Sequence, residues 1–170
     1  MFETEVALWK PPAGLKHLDE KLAPLRAIPL FRDLKDRDLE RVAKLLHERH
    51  YQAGEVVFRE GQTGAGMYII KQGAVDIVLR LSDGTEQCAV SLVDSQFFGE
   101  LALLESTPRT ATCVVTKPSV LLGLFQPDLE LLVERNASLG SKVLWNLARM
   151  TGLRLRELSD LMRSRAEQAK

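Results

Sequence analysis

Cysteine and histidine are scarce: the 170 residues hold two of the first and three of the second. Cys88 and Cys113 each sit in a β-like apolar run, CAVSLV and TCVV, which fits buried reduced thiols better than a disulfide. His17, His47 and His50 lie outside the strand-rich middle of the chain, where a metal-using barrel enzyme would need its ligands. His47 and His50, three apart on an expected helix, read as a solvated face rather than a metal pair. No Ser/His/Asp or Cys/His constellation appears, so covalent catalysis is not indicated and no metal is expected.

There is no excess of charge of either sign. Lys and Arg number 23, as do Asp and Glu, so no global field steers the chain to nucleic acid or to an anionic membrane. A local anion pocket remains open. The opening MFETEVALWKPP carries acids where a signal peptide needs bases, and it has no apolar h-region. No run approaches the roughly 20 apolar residues of a membrane span. The expectation is a cytoplasmic protein.

What is present is an ordinary globular balance, 45% apolar and 27% charged, enough for one compact domain with a hydrophobic core. Residues 1–28 read as an irregular lead-in, punctuated by Pro11, Pro12 and Pro24, with a short helix over Lys16–Leu25. Asp36–Arg49 places Leu39, Val42, Ala43 and Leu46 at helical spacing behind an acid-rich first turn.

After His50 the period changes. AGEVVFREGQ, GMYIIKQG, AVDIVLRL, TEQCAVSLV, TATCVVTK and VLLGLF read as short strands punctuated by glycine. Asp83-Gly84 between two alternating runs signals a tight hairpin. The fold expected is mainly β with flanking helices: an antiparallel β-roll, a jelly-roll barrel, followed by a short hinge helix and a long C-terminal helix. The long helix spans Ser138–Arg165. Leu144, Ala148, Thr151, Leu155, Leu158, Met162 and Arg165 make a heptad seam on it, and Val143, Leu147 and Met150 a second stripe. One stripe can face the barrel and the other a partner helix. The 144–165 helix is therefore expected to form a homodimer. Trp145 reads as an aromatic packed on the barrel, or as a lid stacking on a ligand.

The chemistry concentrates in FFGELALLESTPRTAT, residues 97–112. GELALL should form a short helix of about one and a half turns, whose first amides and partial positive charge suit an anion. Gly99 and Ala102 let a ligand approach the backbone. Glu100, when ionised, only accepts hydrogen bonds, so a phosphate would repel it and a sugar hydroxyl would suit it. Arg109 follows Pro108 at a strand entrance, and its planar fork matches a phosphate. Spacing alone leaves open that the two charges pair with each other or with solvent.

The stretch FGELALLESTPRTAT resembles the phosphate-binding cassette of cyclic nucleotide-binding domains, as in regulatory subunits of cyclic-AMP-dependent protein kinase and the bacterial catabolite activator protein. The resemblance extends over about residues 29–165, including PLFRDLKDRDLERVAKLL and YQAGEVVFREGQTGAGMYIIKQGAVDIV. It implies a nucleotide-binding β-roll over 29–137 and a lid and dimerisation helix over 138–170. It also implies that Glu100 binds the ribose 2′-hydroxyl and Arg109 the cyclic phosphate. Backbone contacts would come from Gly99, Leu101 and Ala102, and Thr110 would help hold the phosphate. Phe98, Pro108 and Ala111 complete the loop's ligand-binding set.

The resemblance implies a cyclic AMP ligand, with cyclic GMP as the alternative that the Thr110 hydroxyl allows. Thr151 or Arg154 would touch the base, unless Thr151 only bonds back to its own helix. A family transcription factor would continue into a helix-turn-helix after the long helix, and no such segment follows, so no nucleic acid is expected. The chain reads as a stand-alone sensor with an unknown downstream protein, or as a fragment of a channel, kinase or transcription regulator. A purely structural dimer would leave the Glu100 and Arg109 pattern without a purpose.

Overall fold

The computed structural model describes residues 22–105 and 107–168. His17 and most of the lead-in lie outside the described residues. Of the helix expected over Lys16–Leu25, the described part is helical from 22 to 27. Four helices follow: α1 (Asp36–Ala43), α2 (Leu101–Leu104), α3 (Gln126–Arg135) and α4 (Ala137–Gln168). The strands are β1 (His47–Tyr51), β2 (Val56–Phe58), β3 (Gly66–Arg80), β4 (Glu86–Val93), β5 (Phe97–Phe98) and β6 (Thr112–Phe125).

Helix α1 has Asp36 and Asp38 in its first turn and buries Leu39, Val42 and Ala43. It stops well short of Arg49. A further turn would need an apolar residue three or four places after Leu46, and the chain offers Arg49 and His50. The segment goes extended instead and pairs antiparallel with β6, from His47 opposite Gly123 to Tyr51 opposite Ser119. Both histidines therefore lie on a sheet strand, not on a helix or outside the sheet as the sequence suggested.

The six strands form one antiparallel sheet in the order β1-β6-β3-β4, with β2 added to β6 and β5 to β3. The sheet is rolled but not closed, so the expected barrel is an open roll. GMYIIKQG and AVDIVLRL are one strand rather than two. Gly73 does not turn the chain; it takes φ +119° inside β3, where the pairing with β6 shifts register. Its amide donates to Asp94 Oδ1 at 2.7 Å. TATCVVTK and VLLGLF are likewise one strand, β6, with Pro118 at the same irregularity, where its missing donor costs no ladder bond. The Asp83-Gly84 turn is present: Asp83 Oδ1 accepts from the Thr85 amide at 2.9 Å and Gly84 takes φ +83°.

The interior divides in two. One core joins Leu22, Leu25, Ile28, Leu30 and Phe31 with Leu129, Leu132, Leu139, Val143 and Leu147 from the last two helices and Met67, Ile69 and Phe97 from the sheet. The other lies among the strands and holds Ile70, Val75, Phe98, Cys113, Val115 and Leu121. The second stripe of α4 thus faces the helical core. In the heptad seam, Leu144 is half-buried, while Leu155 (65%), Leu158 (54%) and Met162 (70%) are exposed. Trp145 is also exposed, at 72%, and does not pack on the sheet. It stands two positions from Val143, roughly 200° around the helix from the buried stripe. Both cysteines are free, but only Cys113 is buried, because Cys88 belongs to the edge strand β4. No described helix is long and apolar enough to cross a membrane.

Candidate functional site

The loop between β5 and β6 is rooted in both cores. Phe97 and Phe98 pair with Ile69 and Tyr68 of β3 and turn to opposite faces, one into each core. Gly99 then takes φ +74°, which L side chains rarely adopt, and a Cβ there would sit 2.6 Å from Arg109 Nη1. Glu100 follows in helical conformation and α2 makes a single turn, shorter than expected, ending where Glu105 goes extended. Ala102 and Leu103 are buried, whereas Leu101 and Leu104 are exposed.

The return limb is zipped to a segment that sequence reading did not connect with the site. The Arg109 amide donates to Gln62 O at 2.8 Å, the Gly61 amide to Arg109 O at 2.8 Å, and the Gly64 amide to Thr107 O at 3.3 Å. Thr63 and Pro108 form a bridge. The Arg109 guanidinium donates from Nη1 to Gly99 O (3.0 Å) and from Nη2 to Gly66 O (2.7 Å). Phe58 lies beneath it, 4.0 Å from Cζ to the ring centroid. Gly64 leaves room for the side chain, since a Cβ there would be 3.0 Å from Nε and 2.6 Å from Ala102 Cβ. Burial lowers the Arg109 pKa from its ordinary value, yet a guanidinium remains cationic at any physiological pH. Two carbonyls and an aromatic face thus fix an always-charged fork while leaving some of its five N–H groups for a ligand.

Glu100 is buried, at 7% exposure, and does not pair with Arg109. Its carboxylate is ion-paired with Arg154 Nη1 from α4. Arg154 also donates from Nη2 to Phe97 O at 3.0 Å and lies 4.5 Å from the Phe97 ring centroid. Both residues were candidates from sequence; their pairing, across 54 positions, was not legible there.

Together these groups border a cleft of about 670 Å³, within the range of small-molecule sites. Phe98, Gly99, Glu100, Leu101, Ala102, Pro108, Arg109, Thr110, Ala111 and Arg154 all line it. Ile77, Ala89, Val90 and Leu92 of the β3–β4 hairpin and Leu158 and Leu161 of α4 form an apolar wall. Thr151 is not among the lining residues; its hydroxyl donates to Leu147 O at 3.0 Å, the back-bonded arrangement. The cleft offers a fixed cation, a buried carboxylate and an apolar flank, which suits an anionic, hydroxyl-bearing ligand with a flat apolar part. No group of acidic, histidine or cysteine side chains among the described residues could hold a metal ion. His47 instead faces Asp128 at 3.0 Å and His50 faces Glu48 at 3.2 Å.

Residues 48–136, just over half of the chain, match the family model of the cyclic nucleotide-binding domain, and the chain belongs to that family. It is similar to a cyclic nucleotide-gated potassium channel of Rhizobium etli, 34% identical over 62% of this chain and 28% of the channel. It superposes on the catabolite activator protein of Thermus thermophilus with a TM-score of 0.75 and 28% identity, over 81% of this chain and 63% of that one. On the regulatory domain of Toxoplasma gondii protein kinase A with cAMP, the TM-score is 0.61 and the identity 30%, over 72% and 46%. The chain spans less than two thirds of each of these three proteins.

Proposed function

We propose that the chain is a cyclic-nucleotide sensor, a regulatory binding protein rather than an enzyme, working in the cytoplasm with cyclic AMP as its ligand. The observation that carries this is the convergence of Arg109, Glu100 and an apolar wall on one cleft in a chain of this family. Arg109 takes the exocyclic oxygens of the cyclic phosphate through the N–H groups its carbonyl partners leave free. Glu100 accepts from the ribose 2′-hydroxyl. Gly99, Leu101 and Ala102 supply backbone contacts, and Thr110 supports the phosphate. Arg154, already on Glu100, meets the sugar side of the ligand.

The likeness to a protein kinase A regulatory domain with cAMP supports cyclic AMP. The Thr110 hydroxyl at the cleft keeps cyclic GMP as a second reading, since the family resemblance pairs a hydroxyl there with either nucleotide. Residues 29–137 act as the binding unit and 138–170 as its lid. The exposed apolar seam over 144–165 supports a homodimer. Occupancy is read out when the Gly99–Arg109 loop moves and α3 carries that motion to α4. The ligand shifts this balance only by its difference in affinity for the two arrangements.

Calorimetry with cyclic AMP, cyclic GMP and 2′-deoxy cyclic AMP tests the reading. Micromolar or tighter binding of one cyclic nucleotide supports it and fixes the base. No binding of any of them overturns it.

A further inference from the structure

The path of the sheet ends on β1 at one side and on β4 at the other, and the two edges are built differently. β1 reads HERHY, with Glu48 and Arg49 exposed on it, and charge of this kind keeps foreign strands away. β4 pairs with β3 alone among the described strands. From Gln87 to Val93 it carries no charge and no proline, and every residue of it but Leu92 is exposed. Its outer row of backbone amides and carbonyls is left to solvent, the condition in which an edge accepts another strand.

The two ends of β4 fix which groups make up that row. The Leu81 amide donates to Thr85 O at 2.8 Å, so these two form a bonded pair across the hairpin. Bonded and non-bonded pairs alternate along an antiparallel ladder. Glu86 and Cys88, opposite Arg80 and Val78, therefore turn their backbone groups away from β3. At the other end the Val93 amide donates to Gln96 Oε1 at 2.8 Å and not to β3, so Val93 faces outward, and so does Ser91 two places before it. Between Cys88 and Ser91 the register with β3 shifts, with Ala89 as the extra residue. The outward groups there stand three residues apart, where a regular strand has two.

A strand of ordinary period cannot meet both Cys88 and Ser91. A second copy of β4 can. Run antiparallel about a twofold axis, it sets its Ser91 against Cys88 and its Cys88 against Ser91, and its own extra residue lies opposite the first. Each of these pairs can exchange both backbone bonds. Glu86 then falls opposite Val93, whereas a slip of one residue would set Glu86 against Asp94, like charge on like.

We propose that two copies of this chain join β4 to β4 in this register, making one continuous sheet. The contact is separate from the α4 seam. It runs beside Ala89, Val90 and Leu92, so each copy braces the other's cleft wall. It needs no nucleotide and stands apart from the function proposed above.

Cys88 supplies the probe, since it is exposed and Cys113 is buried. Three residues along a strand at roughly 3.3 Å each, and one strand across at roughly 4.8 Å, put the two Cys88 Cα atoms about 11 Å apart. A nitroxide on Cys88 of the whole chain, without nucleotide, should show dipolar broadening that fades when unlabelled chain is mixed in. Ser91→Pro removes an outward amide and no bond to β3, so it should abolish the broadening and halve the mass seen by light scattering. Ser91→Ala, which loses only the hydroxyl, should keep both. Leu155→Glu, on the α4 seam, should leave the broadening unchanged. A parent chain without broadening overturns the proposal. So does broadening that survives Ser91→Pro, or that Leu155→Glu or Ser91→Ala removes, because the copies would then meet elsewhere.

Discussion

The guanidinium carbon of Arg109 sits 4.0 Å from the centroid of the Phe58 ring, while its two terminal nitrogens are taken by Gly99 O and Gly66 O. The fork is aimed before any ligand arrives. Arg109→Ala should therefore remove both charge and aim, weakening cyclic nucleotide binding at least about 100-fold by calorimetry, on the scale of charge-assisted pairs. Arg109→Lys should recover little, because a point charge cannot bridge the two carbonyls. Unchanged affinity in the alanine variant would remove the phosphate assignment, and unchanged affinity in the lysine variant would remove the requirement for the fork.

Glu100→Gln keeps the size of the side chain and loses its charge. It should weaken cyclic AMP by roughly 10-fold and narrow the gap between cyclic AMP and its 2′-deoxy form. A variant that binds more weakly yet discriminates as well as the parent would show that Glu100 serves only to hold Arg154.

Gly99 and Gly84 both take left-handed backbone, at φ +74° and +83°, but a Cβ at Gly84 meets open space and one at Gly99 meets Arg109. Alanine at Gly84 should cost about 1 kcal/mol in urea unfolding, the conformational penalty alone. Alanine at Gly99 should cost more and should also impair nucleotide binding. Equal losses of stability would mean that Arg109 yields freely.

Burial pushes the Cys113 thiol up to about 12, from an ordinary value of 9.0. At pH 8 a maleimide should label one thiol per native chain, the exposed Cys88. The unfolded chain releases the Cys113 proton above its ordinary value while the folded chain retains it. The share of stability that follows is intact below about pH 9 and is lost as pH rises toward 12. Cys113→Ala should remove that share, so the parent and variant unfolding midpoints should converge or cross over this window.

The loop was legible because its own groups lie within one short stretch, from Phe98 to Ala111. What aims them was not. Phe58, Gln62, Gly64 and Gly66 reach Arg109 from across the chain, and no local pattern marks them. Strand limits failed where glycine and proline serve an irregularity rather than a turn, as at Gly73 and Pro118. β1 failed because HERHY carries charge on both faces, with no apolar alternation to announce a strand, and its extended form is set by the ladder with β6. Val143 and Leu147 announced the buried face of α4, but Trp145 did not declare its exposure. An aromatic side chain carries the same apolar weight in sequence whichever way the helix turns it.

Phe97 and Phe98 are consecutive, yet each belongs to a different interior. The segment that follows inherits its posture from both, like a door hung from two separate frames. A change of volume near Leu139, among the helices, or near Val115, among the strands, tilts that segment without touching its surface. Conservative exchanges deep inside can thereby retune how firmly such a chain grips its small molecule while every residue at the point of contact stays the same.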